Sequence, residues 1–381
     1  MKIIVLCGLI YLIAFVVTVI FVPLSIKLAH KVNAIDIPKD NRRVHTKATP
    51  RIGGVAIFIG VSVALLFCIF AGLFSPGGII KETGIATFSF GTHTLSDERI
   101  HSIVGVLIGS VVIFAVGLYD DIKDMDPKVK LAGQIIAASI VYAFGARIQF
   151  ISIMFNSDVT YFGSIISYIV TVLWIVAITN TINLVDGLDG LASGVVAIAS
   201  LCIAYVGYIF GYYIGALPMV ALAGGCLGFL LFNFYPAKTF MGDCGSQYLG
   251  FMIASFSMLG TVKSATIVAV LIPSLALSLP ILDTFFAIVR RTINRRPVME
   301  ADKEHLHHRL LRTGMGQRRT VLCMYGICGI MGTAAVLFSR ELYVETIGLL
   351  GVAFMYIYVV LTDPNRKVPH VRKPKDEEEN K

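Results

Sequence analysis

Long apolar segments constrain this chain more than any other feature of its sequence. A helix that crosses a bilayer core about 30 Å thick needs about 20 apolar residues. Eleven stretches approach that length, which predicts an all-α polytopic membrane protein of about eleven transmembrane helices. The windows are 3–28, 52–74, 100–118, 129–146, 160–179, 191–209, 212–232, 246–261, 265–289, 321–338 and 342–361.

The composition supports this class and excludes others. Only 15% of the residues are charged, against about a quarter in an ordinary soluble domain. This excludes a disordered chain, a nucleic-acid-binding domain and a soluble enzyme of usual composition. None of the seven cysteines forms a Cys-x-x-Cys pair, so we expect buried thiols and no disulfide or zinc framework.

Lysine and arginine orient the predicted helices, because cytoplasmic loops carry an excess of both. If the windows alternate across the membrane, 25 of the 32 basic residues fall on one side and 6 on the other. We therefore expect an external N-terminus, a cytoplasmic C-terminus, a single integral-membrane domain over 1–361 and a disordered charged tail over 362–381. The predicted cytoplasmic loops are 30–51, 119–128, 180–190, 233–245 and 290–320. The helix count depends on the break at Gly207 and Gly211, so ten helices are the alternative.

Acidic motifs lie at predicted helix ends on the cytoplasmic side. Asp120 and Asp121 close one apolar window, and Asp124 would share a face with Asp120 if that helix continued. Carboxylates packed this closely repel each other and need a cation, and Lys128 and Lys130 follow at once. The alternative is a polar cap that stops a helix at the membrane surface.

The second motif repeats polar residues every three positions, at Asn183, Asp186 and Asp189. On a helix these side chains would form one polar stripe. The motif contains no Lys or Arg to neutralise its carboxylates. This favours a bound cation or a cationic neighbouring loop over a plain connection.

The third motif, Gly242-Asp243-Cys244-Gly245-Ser246, comes just before another apolar window. Asp243 could be an N-cap, or the N–H groups of the helix start could hold a phosphate. Cys244 has no candidate base in the surrounding sequence, which argues against a nucleophilic role.

The fourth motif, Asp302-x-x-His305-x-His307-His308-Arg309, lies in the longest and most basic loop. Histidine and arginine together suit an anionic ligand such as a phosphate. The alternatives are a basic membrane anchor, or a zinc site on His305 and His308 that takes a third ligand from elsewhere.

Two smaller features belong to the same side. Asp283 lies within a predicted membrane helix, where an ionisable residue is either functional or paired inside the bundle. The segment around Arg43 and His45 is either a basic surface segment or a lid over the site.

The four motifs, in this order and on this side, resemble those of the polyprenyl-phosphate N-acetylhexosamine-1-phosphate transferases. The resemblance covers about 270 residues, from Arg43 to Arg312. It implies ten or eleven helices around an active-site cleft at the cytoplasmic face, often in a homodimer. It also implies a multi-pass location in the bacterial cytoplasmic (inner) membrane.

The histidine run separates two branches of that family. Muramyl-pentapeptide transferases carry three consecutive histidines followed by Phe-Glu, whereas this chain has His305-Leu306-His307-His308-Arg309. The run is similar to that of the branch that starts teichoic acid, O-antigen and related chains from UDP-N-acetylglucosamine. The implied reaction moves N-acetylglucosamine 1-phosphate to undecaprenyl phosphate and releases UMP, and phospho-muramoyl-pentapeptide transfer is the alternative. Cys244 replaces a residue that is usually small or hydroxylated.

The resemblance also implies roles for individual residues. Mg²⁺, with Mn²⁺ as a substitute, would be bound by Asp243, Asn183 and Asp121, and Lys130 would face the diphosphate or the lipid phosphate. Asp120 would be a base or, since a phosphomonoester is mostly dianionic at pH 7, would orient Lys130 or the metal. The expected catalytic residues are Asp120, Asp121, Lys130, Asp243 and His305, and the expected substrate-binding residues are Asn183, Asp186, Asp189, His307, His308 and Arg309.

A membrane transporter is the competing class of protein. It would place charges at the bilayer midplane, on broken helices related by internal repeats. In this chain the acidic residues lie mostly at predicted helix ends on one side, and the sequence contains no repeat. The pattern therefore favours an enzyme that works at the membrane surface.

Overall fold

The structure is a computed structural model that describes residues 2–37, 48–71, 98–152, 159–259, 273–293, 306–312 and 314–362. Within them the chain is a helical bundle with two short antiparallel hairpins. The helices are α1 (Lys2–Lys31), α2 (Gly54–Phe70), α3 (Glu98–Lys123), α4 (Pro127–Ala143), α5 (Ser164–Val185), α6 (Leu191–Ile209), α7 (Tyr213–Asn233), α8 (Gly242–Leu259), α9 (Ser278–Ile293), α10 (Leu306–Arg312), α11 (Gln317–Ser339) and α12 (Tyr343–Thr362). The strands are β1 (Ile35–Asp36), paired with β2 (Thr49–Pro50), and β3 (Phe150–Ser152), paired with β4 (Val159–Tyr161).

Each predicted window overlaps one of these helices, and the window 191–209 coincides with α6. The break between α6 and α7 is confirmed, because Gly211 has a φ of +72° that ends the first helix. Six helices of the described residues are long and apolar enough to cross a membrane, namely α1, α3, α5, α6, α7 and α11. The chain is thus a multi-pass helical membrane protein, while the total of eleven spans and their orientation stay predictions.

Helix α8 forms the centre of the bundle. Its side chains are buried from Cys244 to Met258, and it packs against α2, α3, α5 and α7. The last helix, α12, is different, because it exposes large apolar residues such as Val344 and Phe354. A wide apolar face of this kind suits contact with lipid. Because α8 is enclosed by other helices, the polar residues at its start are held by protein on several sides.

Helices α1 and α7 approach each other closely along two small residues of α7. Gly224 faces the backbone carbonyl of Tyr11, and a Cβ added at Gly228 would lie 2.7 Å from the carbonyl oxygen of Phe15. Small residues spaced by four are a common way to bring membrane helices together. The contact fixes the N-terminal helix against the core of the bundle.

We therefore expect Gly228→Leu to destabilise the protein by about 1–3 kcal/mol, since overpacking a close contact has costs of that order. The measurement is the apparent melting temperature of the detergent-solubilised protein. Gly326→Leu in α11 is the matched control, because a Cβ at Gly326 meets no atom within 4 Å. Equal melting temperatures for the two variants would contradict this account of the α1–α7 contact.

One end of the bundle, here called the polar end, gathers the end of α3, the start of α4, the end of α5 and the start of α8. The segment after β2 is bound to the segment before α8, because Gly53 N–H donates to the Phe240 carbonyl and Gly54 N–H to that of Met241, both at 2.9 Å. The Phe240 N–H donates in turn to the Pro50 carbonyl at 2.7 Å. These bonds fix the starts of α2 and α8 relative to each other.

Candidate active site

The acidic pair at the end of α3 is held by a change in backbone direction. The helix ends at Lys123, and Asp124 adopts a φ of +46°. The helix therefore does not continue through Asp124, and the condition for a face shared with Asp120 is not met. The Asp124 carboxylate instead accepts a hydrogen bond from the Arg51 guanidinium at 3.0 Å, and it is exposed.

Asp120 is engaged at both carboxylate oxygens. One oxygen accepts from the backbone N–H of Met125 at 2.8 Å, and the other accepts from Lys130 Nζ at 2.9 Å. Lys130 reaches it from the first turn of α4, a helix that begins after Asp126 caps the Lys128 N–H at 2.7 Å. Asp120 thus holds the ammonium group of Lys130 in place.

Asp121 caps the start of α8 from a different helix. Its two oxygens accept hydrogen bonds from the backbone N–H groups of Asp243 and Cys244, both at 2.9 Å. The side chain is only 3% exposed. A carboxylate at a helix N-terminus satisfies otherwise unpaired donors and complements the helix dipole. The hydrogen-bond acceptor at this helix start therefore comes from the chain itself, and the ligand role that the resemblance implies for Asp121 stays a prediction.

Gly242 makes this capping contact possible. It has a φ of +71°, and a Cβ at this position would collide with the Arg51 carbonyl oxygen and lie 2.5 Å from Asp121 Oδ2. Glycine accepts such a φ without penalty, and it leaves room for the carboxylate. Glycine is thus required before Asp243 because of its contacts with Arg51 and Asp121, which lie more than a hundred positions away in the sequence.

Asp243 lies at the centre of the cluster. Its Oδ2 accepts from Lys130 Nζ at 2.5 Å and from Gln247 Nε2 at 3.2 Å, and its Oδ1 accepts from Asn183 Nδ2 at 3.1 Å. Burial raises the pKa of Asp243, but the ammonium of Lys130 outweighs this effect and keeps that pKa below its usual value. Asp243 is therefore a carboxylate, and not a neutral acid, at neutral pH.

The second motif does not form a helical stripe. Helix α5 ends at Val185, so Asn183 lies in its last turn, while Asp186 and Asp189 lie in the turn that follows. Asp189 accepts from the Ala237 N–H at 3.0 Å and so binds the segment that leads to α8. The condition for the polar stripe, a continuous helix from Asn183 to Asp189, is therefore not met, because the backbone turns before the second aspartate.

The polar end crowds carboxyl groups together. Burial raises the pKa of Asp186 to about 8, and the nearby charges of Asp243, Asp121 and Asp189 add to that rise. Against these carboxyl groups and Asp120, the described part of the chain places one lysine, Lys130, inside the cluster. Such a site favours an added cation.

The fourth motif lies mostly outside the described residues. His305 is outside them, as are the side chains of His307 and His308, although their backbone belongs to α10. Arg309 is exposed on α10, and within the described part of the chain it makes no contact with the cluster around Asp243. The roles implied for these four residues stay predictions. Residues 38–47, with Arg43 and His45, also lie outside the described part.

Asp283 has a partner inside the bundle. Its Oδ1 accepts from the backbone N–H of Leu306 at 2.8 Å, which joins α9 to the first turn of α10. The sequence left open a functional role for Asp283 or a partner within the bundle, and the structure shows a partner.

The cysteines agree with the sequence-based expectation. All seven are free thiols, and five of them are buried, with Cys7 and Cys202 partly so. Cys244 is fully buried, and its thiol lies 3.5 Å from the Met241 carbonyl oxygen. This position leaves it no access to a substrate.

Several polar residues of the site escape a prediction from the sequence. Asn233, at the end of α7, accepts from the Gly190 N–H and donates to the Thr239 carbonyl, both at 3.0 Å, so it joins the two loops that flank the cluster. Gln134 and Gln247 are buried behind Asp243. For the two glutamines the available signal was an isolated amide within an apolar helix, four residues from Lys130 and from Asp243 respectively.

The donor set fits a magnesium ion that is shared with a substrate phosphate. No group of three or more His, Cys, Asp or Glu side chains among the described residues is arranged to hold a metal by itself. Mg²⁺, however, is usually bound by one or two carboxylates together with substrate phosphates and water. Asp243, which is ionised and partly exposed, with Asn183 beside it, meets that requirement.

Comparison with known proteins points to one family. Residues 103–261 match the model of glycosyl transferase family 4. This segment contains the acidic motifs of α3, α5 and α8. The part of the chain that the family model recognises is therefore the part that builds the cluster.

Individual relatives match almost the whole chain. A Bacillus subtilis protein named "Probable undecaprenyl-phosphate N-acetylglucosaminyl 1-phosphate transferase" is 35% identical over 351 residues, 92% of this chain and 90% of its own length. A Mycolicibacterium smegmatis decaprenyl-phosphate N-acetylglucosaminephosphotransferase is 36% identical over 88% of this chain and 83% of its own. A Streptococcus pneumoniae phospho-N-acetylmuramoyl-pentapeptide-transferase is 31% identical over 65% of this chain and 71% of its own.

These matches include the helices and the acidic cluster together. The family is one of sugar-phosphate transferases in membranes. This chain belongs to glycosyl transferase family 4, and within it to the polyprenyl-phosphate N-acetylhexosamine-1-phosphate transferases.

Proposed function

We propose that this protein transfers N-acetylglucosamine 1-phosphate from UDP-N-acetylglucosamine to undecaprenyl phosphate. The products are undecaprenyl-diphospho-N-acetylglucosamine and UMP. The observation that carries the proposal is the cluster of Asp120, Lys130 and Asp243 at the ends of apolar helices. Because a polyprenyl tail stays in the bilayer, its phosphate lies at the membrane surface. A residue that binds this phosphate must therefore lie at the end of a membrane helix.

The reaction needs positioning and charge neutralisation more than covalent help. An oxygen of the acceptor phosphate forms a bond to the β-phosphorus of the donor. The bond from that phosphorus to the oxygen that bridges to the α-phosphate breaks, and UMP leaves with that oxygen. The chain's own contribution is a fixed set of charges at the polar end.

We assign the metal to Mg²⁺, with Mn²⁺ as a substitute, and Asp243 and Asn183 as the residues that would hold it. When bound, the ion would neutralise the negative charge of the diphosphate. This assignment rests on the ionised state of Asp243 and on the carboxyl groups crowded around it, whose mutual repulsion a cation would relieve. Asp121 already binds two backbone N–H groups, so we place it in a supporting position.

Lys130 offers the positive charge that the phosphates require. Its ammonium lies between Asp120 and Asp243, 2.9 Å from the first. A phosphate that enters the cluster would take over part of this hydrogen bonding. Asp120 then acts as the residue that orients Lys130, which agrees with the engagement of both its oxygens and needs no proton transfer from a dianionic acceptor.

The remaining roles follow from the position of each loop. Asp186 and Asp189 would border the nucleotide, and His305, His307, His308 and Arg309 would approach the sugar diphosphate. Because the basic loops are expected on the inner side of a bacterial inner membrane, the polar end would face the cytoplasm. UDP-sugars are made in that compartment. The product would start a cell-envelope polysaccharide such as a teichoic acid or an O-antigen.

The test is UMP release by the purified protein in detergent with undecaprenyl phosphate, Mg²⁺ and one of two donors. We expect release with UDP-N-acetylglucosamine and none with UDP-N-acetylmuramoyl-pentapeptide, because the run His307-His308-Arg309 departs from the muramyl pattern. We also expect release to stop in EDTA. Release with the pentapeptide donor alone would overturn the choice of substrate, and no release with either donor would reopen other UDP-sugars and then the transporter class.

A further inference from the structure

Three amide side chains, two of them buried and that of Asn180 partly buried, form a chain of hydrogen bonds behind Asp243. Gln134 on α4 donates its Nε2 to Gln247 Oε1 on α8 at 3.2 Å and to Asn180 Oδ1 on α5 at 3.3 Å. Asn180 Nδ2 donates back to Gln134 Oε1 at 2.6 Å. Gln134 is 2% exposed and Gln247 is fully buried. All the polar atoms of Gln134 are thus engaged by side chains of two other helices.

The carboxylate of Asp243 sets the direction of this chain. A carboxylate only accepts hydrogen bonds, so Gln247 must turn its Nε2 toward Asp243 Oδ2, where it lies at 3.2 Å. The Oε1 of Gln247 then faces α4 and requires a donor. Gln134 Nε2 is that donor, and Gln134 Oε1 in turn requires the amide N–H of Asn180.

A second contact to the same carboxylate comes from α5. Asn180 is one helical turn before Asn183, which donates to Asp243 Oδ1 at 3.1 Å. Asn180 is itself fixed by a second bond, from Nδ2 to the Val176 carbonyl at 2.8 Å. Side chains of α4, α5 and α8 therefore meet beside Asp243, whose Oδ2 accepts from Gln247 and whose Oδ1 accepts from Asn183.

Gln134 also shares a helix face with Lys130, four residues earlier. Helix α4 thus contacts Asp243 directly through the Lys130 ammonium and indirectly through Gln134 and Gln247. A buried polar network whose every member is satisfied fixes side-chain geometry more firmly than isolated bonds do. The chain from Asn180 through Gln134 and Gln247 ends on the Asp243 carboxylate, whose geometry it fixes.

We infer that Gln134 is a positioning residue, which orients the Asp243 carboxylate for metal binding by holding the Gln247 amide in one orientation. The inference rests on the proposed function, since it takes Asp243 as the metal ligand. If Gln134 only stabilised the bundle, its replacement would weaken metal binding by the same factor with or without Gln247. If Gln134 acts through Gln247, its replacement has no further effect on metal binding once Gln247 is absent.

The experiment is a double-mutant cycle on Mn²⁺ affinity, with Gln134→Met, Gln247→Met and the double variant of the full chain in detergent. The readout is the Mn²⁺ dissociation constant from electron paramagnetic resonance. We expect each single variant to bind Mn²⁺ about 10- to 100-fold more weakly, as outer partners of metal ligands commonly do when replaced. We expect the double variant to bind no more weakly than Gln247→Met alone.

Thr171→Val is the matched control for loss of a buried hydrogen-bonding side chain. Thr171 is fully buried on α5 and bonds the Ser167 carbonyl at 2.7 Å, outside the cluster. Its variant should keep wild-type Mn²⁺ affinity. A second readout is the rise in melting temperature that Mn²⁺ causes. For each variant it is measured against the melting temperature of the same variant without metal. Gln134→Asn, with a shorter amide, replaces the Met variant if the latter is not monodisperse.

Three results would overturn the inference. The first is a wild-type Mn²⁺ affinity in Gln134→Met. The second is a fold-loss of Mn²⁺ affinity in the double variant equal to the product of the two single fold-losses. The third is absence of Mn²⁺ binding in the wild-type protein. UMP release by the wild-type protein is measured in parallel. Mn²⁺ binding with the expected cycle but no UMP release would leave the positioning role supported and refute the proposed substrates.

Discussion

Asp243→Asn is expected to lower the rate of UMP release by at least about a hundredfold, the order found when a residue that stabilises charge in a transition state is removed. The carboxylate receives three donors, from Lys130, Asn183 and Gln247. An asparagine of the same shape would turn an N–H group toward at least one of these donors. It would also remove the charge that attracts the metal.

The measurement is initial-rate UMP release at saturating Mg²⁺, together with the Mn²⁺ dissociation constant. Asp124→Asn is the matched control, because Asp124 belongs to the same polar end but is exposed and pairs with Arg51. We expect this control to stay within about twofold of wild type, as surface ion pairs contribute little. If Asp243→Asn kept more than a tenth of the wild-type rate, the central role of Asp243 would be refuted.

Asp121→Ala is expected to have the largest effect on stability. The substitution leaves the backbone N–H groups of Asp243 and Cys244 without their partner in a buried place. Each unsatisfied buried donor costs about 1–3 kcal/mol, so a loss of several kcal/mol is expected. The start of α8, and with it Asp243, would lose its fixed position.

The apparent melting temperature in detergent measures this effect, and Asp120→Ala is the control. The Asp120→Ala substitution also removes a hydrogen bond to a backbone N–H, that of Met125. The Asp120 side chain, however, is more accessible to water than that of Asp121. We expect Asp120→Ala to reduce UMP release with a much smaller change in melting temperature. An Asp121→Ala protein that melts like wild type but lacks Mn²⁺ binding would show that Asp121 is a metal ligand and not a cap.

The helices and the location of the site were accessible from the sequence for physical reasons. A helix in lipid needs a long apolar segment, so each window overlaps a helix and one coincides with α6. Polar motifs such as those of Asp121 and Asp243 interrupt these segments, and they meet at one end of the bundle. Their order along the chain carried the family resemblance.

The contacts between motifs were not accessible, because they depend on how helices pack. Nothing local to Asp121 indicates that it caps a helix starting at Gly242, and nothing local to Asp283 indicates a bond to Leu306. The turn after Val185 likewise separates Asn183 from Asp186, although their spacing suits a helix. Periodicity describes one element at a time, whereas these side chains act between elements.

The central claim, transfer at the β-phosphorus of the donor, is tested most directly by the position of a phosphorus label. The purified protein is incubated with Mg²⁺, undecaprenyl phosphate and UDP-N-acetylglucosamine that carries ³²P at the β-phosphate. We predict that the label moves into the organic-extractable lipid, while ³²P at the α-phosphate of a second batch stays in water as UMP. Sugar in the lipid with the β-label left in water as UDP would contradict the account, because the protein would then transfer the sugar without its phosphate.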